Sequence, residues 1–269
     1  MEIVPLNMNK IVGDCDIIFI TVDTLRYDVA QQCWAEGLLP NFSQWLPPDG
    51  WEKRHSPGSF TYAAHHAFFA GFLPTPASNP KHPRLFATQF AGSTTATPNT
   101  FVTHKDNFIA GLEAVGYTTA CIGGVGFFNK KTALSQVLPS LFQESYWEES
   151  FGVTCRDSTQ NQFQKAAEIL KNTEQKIGLF INVSALHQPN YFYLDASSKE
   201  DTIQSHASAL EYVDSQLPIL QEALQKRSNK SFIICCGDHG TAYGEEGYIG
   251  HRLAHPTVWN VPYLEFLSK

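Results

Sequence analysis

The sequence lacks the features that would direct it to nucleic acid or to a membrane. Its lysines and arginines form no block, and the formal net charge is -7 with a pI near 5.8. Such a chain has no electrostatic footprint for nucleic acid or for an anionic membrane. It contains no apolar run near the roughly 18 residues that span a bilayer, and it does not begin with a basic region followed by an apolar core. We therefore expect a cytoplasmic protein with no membrane span and no nucleic-acid partner.

Paired cysteines and internal repeats are also absent. The six cysteines are scattered without a CxxC motif, and Cys235 and Cys236 lie within an apolar segment. In a cytoplasmic chain this pattern indicates reduced thiols that pack as small hydrophobic groups. With 43% hydrophobic residues and no evident linker, we expect residues 1–269 to form one α/β domain.

Two stretches share one design: an apolar run that ends abruptly in an aspartate. The first is IIFITVDTLR, which ends at Asp23, and the second is FIICCGDHG, which ends at Asp238 and His239. Short apolar runs rich in β-branched residues are typical of the interior strands of parallel sheets, whose ligands lie beyond the strand carboxyl ends. Either aspartate alone could be a turn residue. Together with the imidazole they predict a site for a divalent metal, Zn²⁺ or Mn²⁺ rather than Mg²⁺ or Ca²⁺.

The segments between these runs alternate between strand and helix patterns. We predict strands near residues 16–22, 116–124 and 178–186 and helices near 103–115, 160–172 and 201–227. This alternation predicts a doubly wound, mostly parallel sheet flanked by helices. Residues 75–100, rich in Pro, Ser, Thr and Ala, are expected to form a long excursion or a mobile flap without chemistry.

Thr61 is the candidate nucleophile. The segment TYAAHHAFFAG predicts a helix that opens at Thr61 and stops at Gly71. An ordinary helix N-cap is the alternative role for this threonine, and both roles can coexist. A hydroxyl at a helix N-terminus faces free N–H groups, and metal coordination would lower its pKa enough for attack on phosphorus or sulfur.

The motifs together resemble the alkaline phosphatase and sulfatase superfamily. The resemblance runs from about residue 15 to the end and is carried by TVDTLRYD, the Thr61 helix, GYTTACIGG, LHQPNY, LEYVDSQL, GDHGTAYGEEGYIGH and NVPYLEF. It implies an alkaline phosphatase-like fold and a metal bound by Asp23, Thr61, Asp238 and His239. His251 would contact substrate oxygens or help to hold a second ion, so the resemblance leaves one or two metals open.

Two departures separate this chain from sulfatases. The CxPSR motif is replaced by Thr61 followed by YAAH, so formylglycine is not expected, and Thr24 follows Asp23 where sulfatases often have a second acidic residue. The position of Thr61 resembles the nucleophile of phosphoethanolamine transferases, lipoteichoic acid synthases and nucleotide phosphodiesterases. His187, in LHQP, resembles a histidine that contacts the ester group, and it is our candidate general acid.

The sequence therefore predicts a metal-dependent hydrolase of phosphate monoesters or diesters that works through a phosphothreonine at Thr61, with His187 and His251 assisting. Its substrate would be a small-molecule or headgroup-like ester of phosphate or sulfate. The alternatives are a sulfate-ester or phosphonate hydrolase, a phosphoryl-group transferase, and a metal-binding scaffold subunit. The scaffold alternative arises because sulfatases usually have a further C-terminal subdomain, whereas this sequence stops at VPYLEFLSK. The sequence leaves the oligomeric state open.

Overall fold

A central β-sheet with helices on both faces organises the protein. The computed structural model describes residues 6–71, 86–87, 89–94, 100–102 and 107–268. The strands are β1 Asp16–Val22, β2 Glu52–His55, β3 Phe86–Ala87, β4 Phe101–Val102, β5 Thr118–Ile122, β6 Glu144–Tyr146, β7 Ile177–Val183, β8 Ser231–Gly237, β9 Ala242–Tyr243, β10 Ile249–Gly250 and β11 Asn260–Leu267. The α-helices are α1 Tyr27–Ala35, α2 Thr61–Ala70, α3 Phe108–Ala114, α4 Ala133–Val137, α5 Ser158–Asn172, α6 Ile203–Gln225 and α7 Pro256–Trp259.

Within the described residues, seven strands form the main sheet in the order β2-β11-β8-β1-β7-β5-β6. The strands β8, β1, β7, β5 and β6 run parallel, whereas β11 pairs antiparallel with both β8 and β2. The expected mostly parallel, helix-flanked α/β fold is therefore confirmed. The register places Val22 beside Gly237, so β1 and β8 end at the same level.

The residues of β1 alternate between two apolar layers, as the twofold period of a strand requires. Ile18, Ile20 and Val22 pack in one cluster with residues of α1, α5 and α6. Phe19 lies on the other face, against a cluster that contains Phe69 of α2 and Ile109 of α3. Both faces of the central strands are thus covered, which explains their nearly continuous apolar sequences.

The structure corrects two local predictions. Residues 39–59 are rich in proline, glycine and aromatic residues, a composition that predicts a loop. They include β2, an exposed edge strand without the apolar alternation that marks a buried strand. The helix at Thr61 does end at Gly71, which adopts φ 78°. Thr61, however, is its first residue rather than its N-cap, which is Phe60.

Three other expectations concern residues 75–100, membrane spans and the cysteines. Much of the expected excursion at 75–100 lies outside the described residues. Among all the residues that the structure describes, no helix is long and apolar enough to cross a bilayer. All six cysteines are free.

Candidate metal and nucleophile site

Three of the predicted ligands meet at the carboxyl edge of the sheet. Asp23 follows β1, and Asp238 with His239 follows β8. Each of these residues offers one ligand atom such that the three atoms lie within 4.8 Å of one another, and all three side chains are buried. A hydrogen bond of 3.0 Å from Thr24 N–H to Asp238 Oδ1 connects the two loops directly. The adjacent parallel strands therefore create the cluster.

Thr61 brings its hydroxyl into the same cluster. Its Oγ1 lies 3.2 Å from Asp23 Oδ2 and 3.3 Å from His239 Nε2. Its side chain is 2% exposed, so the hydroxyl is withdrawn from bulk water. As the first residue of α2, Thr61 also belongs to the turn whose N–H groups have no intrahelical acceptors. The predicted nucleophile and the predicted ligands thus share one site.

The orientation of His239 leaves one ring nitrogen available. Its Nδ1 lies 2.8 Å from Gly240 O, which makes Nδ1–H the donor and leaves the Nε2 lone pair facing Asp23, Asp238 and Thr61. The distances from Nε2 are 4.0 Å to Asp23 Oδ1 and 3.6 Å to Asp238 Oδ2. This is the tautomer that a metal-binding histidine requires.

The donor set fits a divalent cation. Asp23 Oδ1 and Asp238 Oδ2 are buried oxygens without a hydrogen-bond partner, which is costly for a carboxylate. Burial, followed by the charge of Asp238, raises the pKa of Asp23 to about 6. Burial likewise raises the pKa of Asp238 to about 7 and lowers the pKa of His239. Two ionised carboxylates and a neutral imidazole in this space would be stabilised by a cation between them.

Asn182, a residue that the sequence interpretation missed, supports Asp23 from the neighbouring strand β7. Its Nδ2 lies 3.3 Å from Asp23 Oδ2 and 3.3 Å from Thr21 Oγ1, while its Oδ1 accepts from Val125 N–H at 3.1 Å. In the sequence, Asn182 can be noticed as the single amide residue within the apolar run LFINVS. Only the strand order shows what its side chain contacts.

Neighbouring residues of a helix point in different directions, so only one of His65 and His66 is expected to point at the site. The contacts of His65 place it there. Its Nδ1 lies 2.6 Å from Thr61 O and 3.7 Å from Asp238 Oδ2, and its Nε2 lies 2.9 Å from Thr21 Oγ1. Burial lowers its pKa to about 3, so the ring is neutral. His65 therefore acts on the site through hydrogen bonds.

His187 and His251 line the outer side of the cluster. The ring of His251 lies 4.6 Å from that of His239 and 6.3 Å from that of His187, measured between centroids. The Nδ1 of His251 is buried without a partner, and burial lowers its pKa to about 4. His187 is half-buried, with Nδ1 2.6 Å from Gln188 O. The predicted histidines therefore adjoin the metal cluster without entering it.

Arg26 is buried, although its position three residues after Asp23 favours a surface ion pair. Its side chain is 3% exposed. It binds Asp28 through Nε at 2.9 Å and Nη2 at 2.5 Å, and it binds Glu245 Oε1 through Nη1 at 2.5 Å. The same Nη1 lies 3.3 Å from Thr241 O. Arg26 thus joins the loop after β1 to the loop after β8. We call this cluster of Arg26, Asp28, Thr241 and Glu245 the loop clamp.

The chain is a member of the alkaline phosphatase superfamily, whose metal-dependent enzymes act on phosphoryl and sulfuryl esters. Within it, the sulfatase family model matches residues 16–266, and the chain belongs to that family. No curated protein sequence matches the chain significantly.

Solved structures with the same fold include three bacterial examples. One is the C-terminal periplasmic domain of phosphoethanolamine transferase EptC from Campylobacter jejuni, with 14% identity, a TM-score of 0.63, and coverage of 93% of this chain and 78% of that one. Another is the corresponding domain of EcEptC from Escherichia coli in complex with zinc, with 11% identity, a TM-score of 0.62, and coverage of 95% and 74%. The third is the lipoteichoic acid synthase LtaP from Listeria monocytogenes, with 16% identity, a TM-score of 0.59, and coverage of 94% and 65%.

These comparisons correct one prediction. The expected cytoplasmic location is contradicted, because the EptC neighbours are periplasmic domains and point away from the cytoplasm. The error arose from treating the composition and the first residues of the sequence as information about the compartment.

Proposed function

We propose that this protein cleaves phosphate esters through a covalent phosphothreonine at Thr61. The observation that carries the proposal is the position of Thr61 Oγ1, 3.2 Å from Asp23 Oδ2 and 3.3 Å from His239 Nε2, at the start of α2. A hydroxyl in that position has an acceptor for its proton beside it and helix N–H groups near the oxygen that will carry phosphorus.

Asp23, Thr61, Asp238 and His239 would hold the cation, with Zn²⁺ or Mn²⁺ favoured by the mixed oxygen and nitrogen donors. When bound, a divalent ion supplies charge that lowers the pKa of a coordinated hydroxyl and neutralises phosphoryl oxygens. The unpartnered Asp23 Oδ1 and Asp238 Oδ2 support this assignment. His251, with its unpartnered Nδ1, would contact substrate oxygens or contribute to a second ion.

In the first half of the reaction, Thr61 Oγ1 forms a bond to phosphorus while the bond to the leaving oxygen breaks. The Thr61 proton passes toward Asp23 Oδ2, the nearer of the two acceptors. In the second half, the oxygen of water or of an alcohol attacks phosphorus and gives its proton to the histidine that protonated the leaving oxygen, while the bond from Thr61 to phosphorus breaks and Thr61 regains its proton from Asp23. The two in-line displacements restore the enzyme.

The leaving alkoxide requires a proton, and His187 suits this task better than His251. Burial lowers the pKa of His251 to about 4, which disfavours the protonated ring. The Nδ1–H of His187 donates to Gln188 O, which orients the ring and leaves Nε2 for the substrate. We therefore assign His187 as general acid and His251 as a neutral hydrogen-bonding group.

The acceptor decides between hydrolysis and transfer. Water as acceptor gives a phosphomonoesterase or phosphodiesterase, which is our first proposal. Transfer to an alcohol is the second, because two of the structural neighbours are phosphoethanolamine transferase domains and a third is a lipoteichoic acid synthase. Both candidates use the same phosphothreonine, so one set of variants tests the shared half-reaction.

The test combines metal analysis of the purified protein with turnover of p-nitrophenyl phosphate, bis-p-nitrophenyl phosphate and p-nitrophenyl sulfate in added Mn²⁺ or Zn²⁺. We expect turnover of a phosphate substrate to fall by roughly a thousandfold or more in Thr61→Ala. Asp238→Ala should lose both bound metal and turnover. Mass spectrometry of quenched wild-type enzyme should place one phosphoryl group on Thr61.

Thr173→Ala is the matched control, since this threonine lies at the C-terminal end of α5, where its hydroxyl donates to Ile169 O. A sulfate substrate turned over faster than either phosphate would replace the proposal with the sulfatase alternative. Release of nitrophenol that increases with added alcohol, with the phosphoryl group recovered on that alcohol, would favour transfer. Bound metal without turnover of any ester would leave the scaffold alternative, and a protein that binds no metal would refute the proposal.

A further inference from the structure

Arg252 is a charged residue beside the site that has no role in the proposed mechanism. It directly follows His251, yet its backbone turns sharply, with φ 69° in the region that favours glycine. Its N–H donates to Ser59 O at 2.8 Å, which ties this loop to the residues just before α2. The conformation places Arg252 beside the start of the Thr61 helix.

The guanidinium of Arg252 lies over the ring of Phe60, with Cζ 4.9 Å from the ring centroid. Phe60 is the N-cap of α2 and immediately precedes Thr61. A cation packed on an aromatic face keeps its planar hydrogen-bonding edge free to receive another group. Contact with Phe60 thus holds the guanidinium beside the residue that precedes Thr61 without neutralising its charge.

Arg252 has no carboxylate counter-ion among the residues that the structure describes, although the chain carries an excess of acidic groups. The buried Arg26 and the half-buried Arg227 are each paired with an acid, whereas the guanidinium of Arg252 is exposed and packs on an aromatic ring. An uncompensated positive charge here attracts a negative group on the ligand.

We infer that Arg252 is a specificity-determining residue that binds a second anionic group of the substrate, a carboxylate or a further phosphate or sulfate, beyond the ester that Thr61 attacks. The guanidinium edge matches the two oxygens of such a group. This inference rests on the proposed function, since it takes the ester to occupy the Thr61 site. It narrows the substrate class to esters with at least two separate anionic groups.

The test measures binding without turnover. Isothermal titration calorimetry with the Mn²⁺-supplemented protein compares phosphonopropionate, which carries a carboxylate, with propylphosphonate, which does not. We expect the wild type to bind the carboxylated compound about tenfold more tightly, the scale of one charge-assisted hydrogen bond. Arg252→Ala should bind both compounds with equal affinity, Arg252→Lys should retain part of the preference, and Arg252→Glu should reverse it.

Arg54→Ala is the control, because Arg54 also packs on an aromatic ring, that of Tyr263 at 4.8 Å, but lies on the edge strand β2 and pairs with Glu52. It should keep the wild-type preference. An unchanged preference in Arg252→Ala, or equal affinities in the wild type, would overturn the inference while leaving the proposed function intact. Failure of the wild type to bind either phosphonate would overturn both.

Discussion

The loop clamp allows a quantitative test of how the two ligand loops are held together. The change is Arg26→Met, which keeps an unbranched side chain of similar reach and removes the charge and all four hydrogen bonds to Asp28, Glu245 and Thr241. Breaking a fully buried ion pair by removing one partner costs about 3–5 kcal/mol. Here the Arg26 side chain is 3% exposed, but Asp28 is 59% and Glu245 25% exposed. Both acids regain water, so we expect a loss of roughly 2–3 kcal/mol.

For a chain of this size each kcal/mol corresponds to about 2–4 °C in the midpoint of thermal unfolding, so Arg26→Met should lower Tm by roughly 4–12 °C. Circular dichroism measures that change, and calorimetric titration with Mn²⁺ should show weaker metal binding, because the loops that carry Asp23 and Asp238 are then joined by fewer contacts, among them the hydrogen bond from Thr24 to Asp238. Arg54→Met, which removes an exposed pair with Glu52, should change the free energy of unfolding by less than about 0.5 kcal/mol.

The contribution of the loop clamp to the free energy of unfolding should depend on pH. Burial would raise the pKa of Asp28, but hydrogen bonds and charge from Arg26 outweigh it and lower that pKa below 3.8. A carboxyl group with a depressed folded-state pKa stabilises the fold above its unfolded pKa, and this contribution is lost as the pH falls through the folded value. The difference between wild type and Arg26→Met should therefore shrink below pH 3.8. An equal Tm and equal Mn²⁺ affinity in the two proteins at neutral pH would refute the reasoning.

Three other predictions concern residues around the site. Gly240→Ala should abolish metal binding in elemental analysis, because a Cβ there would lie 1.9 Å from Thr257 O and force the His239 loop to move. Asn182→Leu should weaken Mn²⁺ binding about 10- to 100-fold in titration calorimetry, since Asp23 loses an orienting hydrogen bond, and unchanged affinity would contradict this role. Burial lowers the pKa of His206 to about 3. Between that value and the ordinary histidine pKa of 6.5, the unfolded state binds a proton that the folded state does not, so the free energy of unfolding decreases as the pH is lowered. In urea unfolding at pH 5 against pH 7, His206→Gln should remove about 2 kcal/mol of that loss, and an equal loss in both proteins would contradict the assignment.

The sequence was sufficient to predict which residues meet at the candidate site, because the signals for Asp23, Asp238 and Thr61 each lie within a short segment. Asp23 and Asp238 each follow an apolar strand, and adjacent parallel strands bring their carboxyl ends together. Thr61 was found from a helix start and a glycine stop. The strand and helix boundaries near residues 16–22, 160–172 and 201–227 agree closely with β1, α5 and α6 for the same reason.

The remaining features depend on contacts between distant segments. Asn182 supports Asp23 only because β7 lies beside β1, and Arg26 is buried only because the loop after β8 covers it. The antiparallel strand β11 and the charged edge strand β2 carry no pattern that distinguishes them from loops or parallel strands. The organisation of residues 1–269 as one domain stays a prediction.

The hydrogen bond from Thr24 to Asp238 spans 214 positions of the chain. Every residue from β1 through the loop after β8 must be synthesised before these two ligand loops can meet, and strand pairings over such a long sequence separation form slowly. A nascent or truncated chain that ends before β8 has only half of the ligand set. The candidate site is therefore assembled only after β8 has paired with β1, so binding of a cation there would require a folded central sheet.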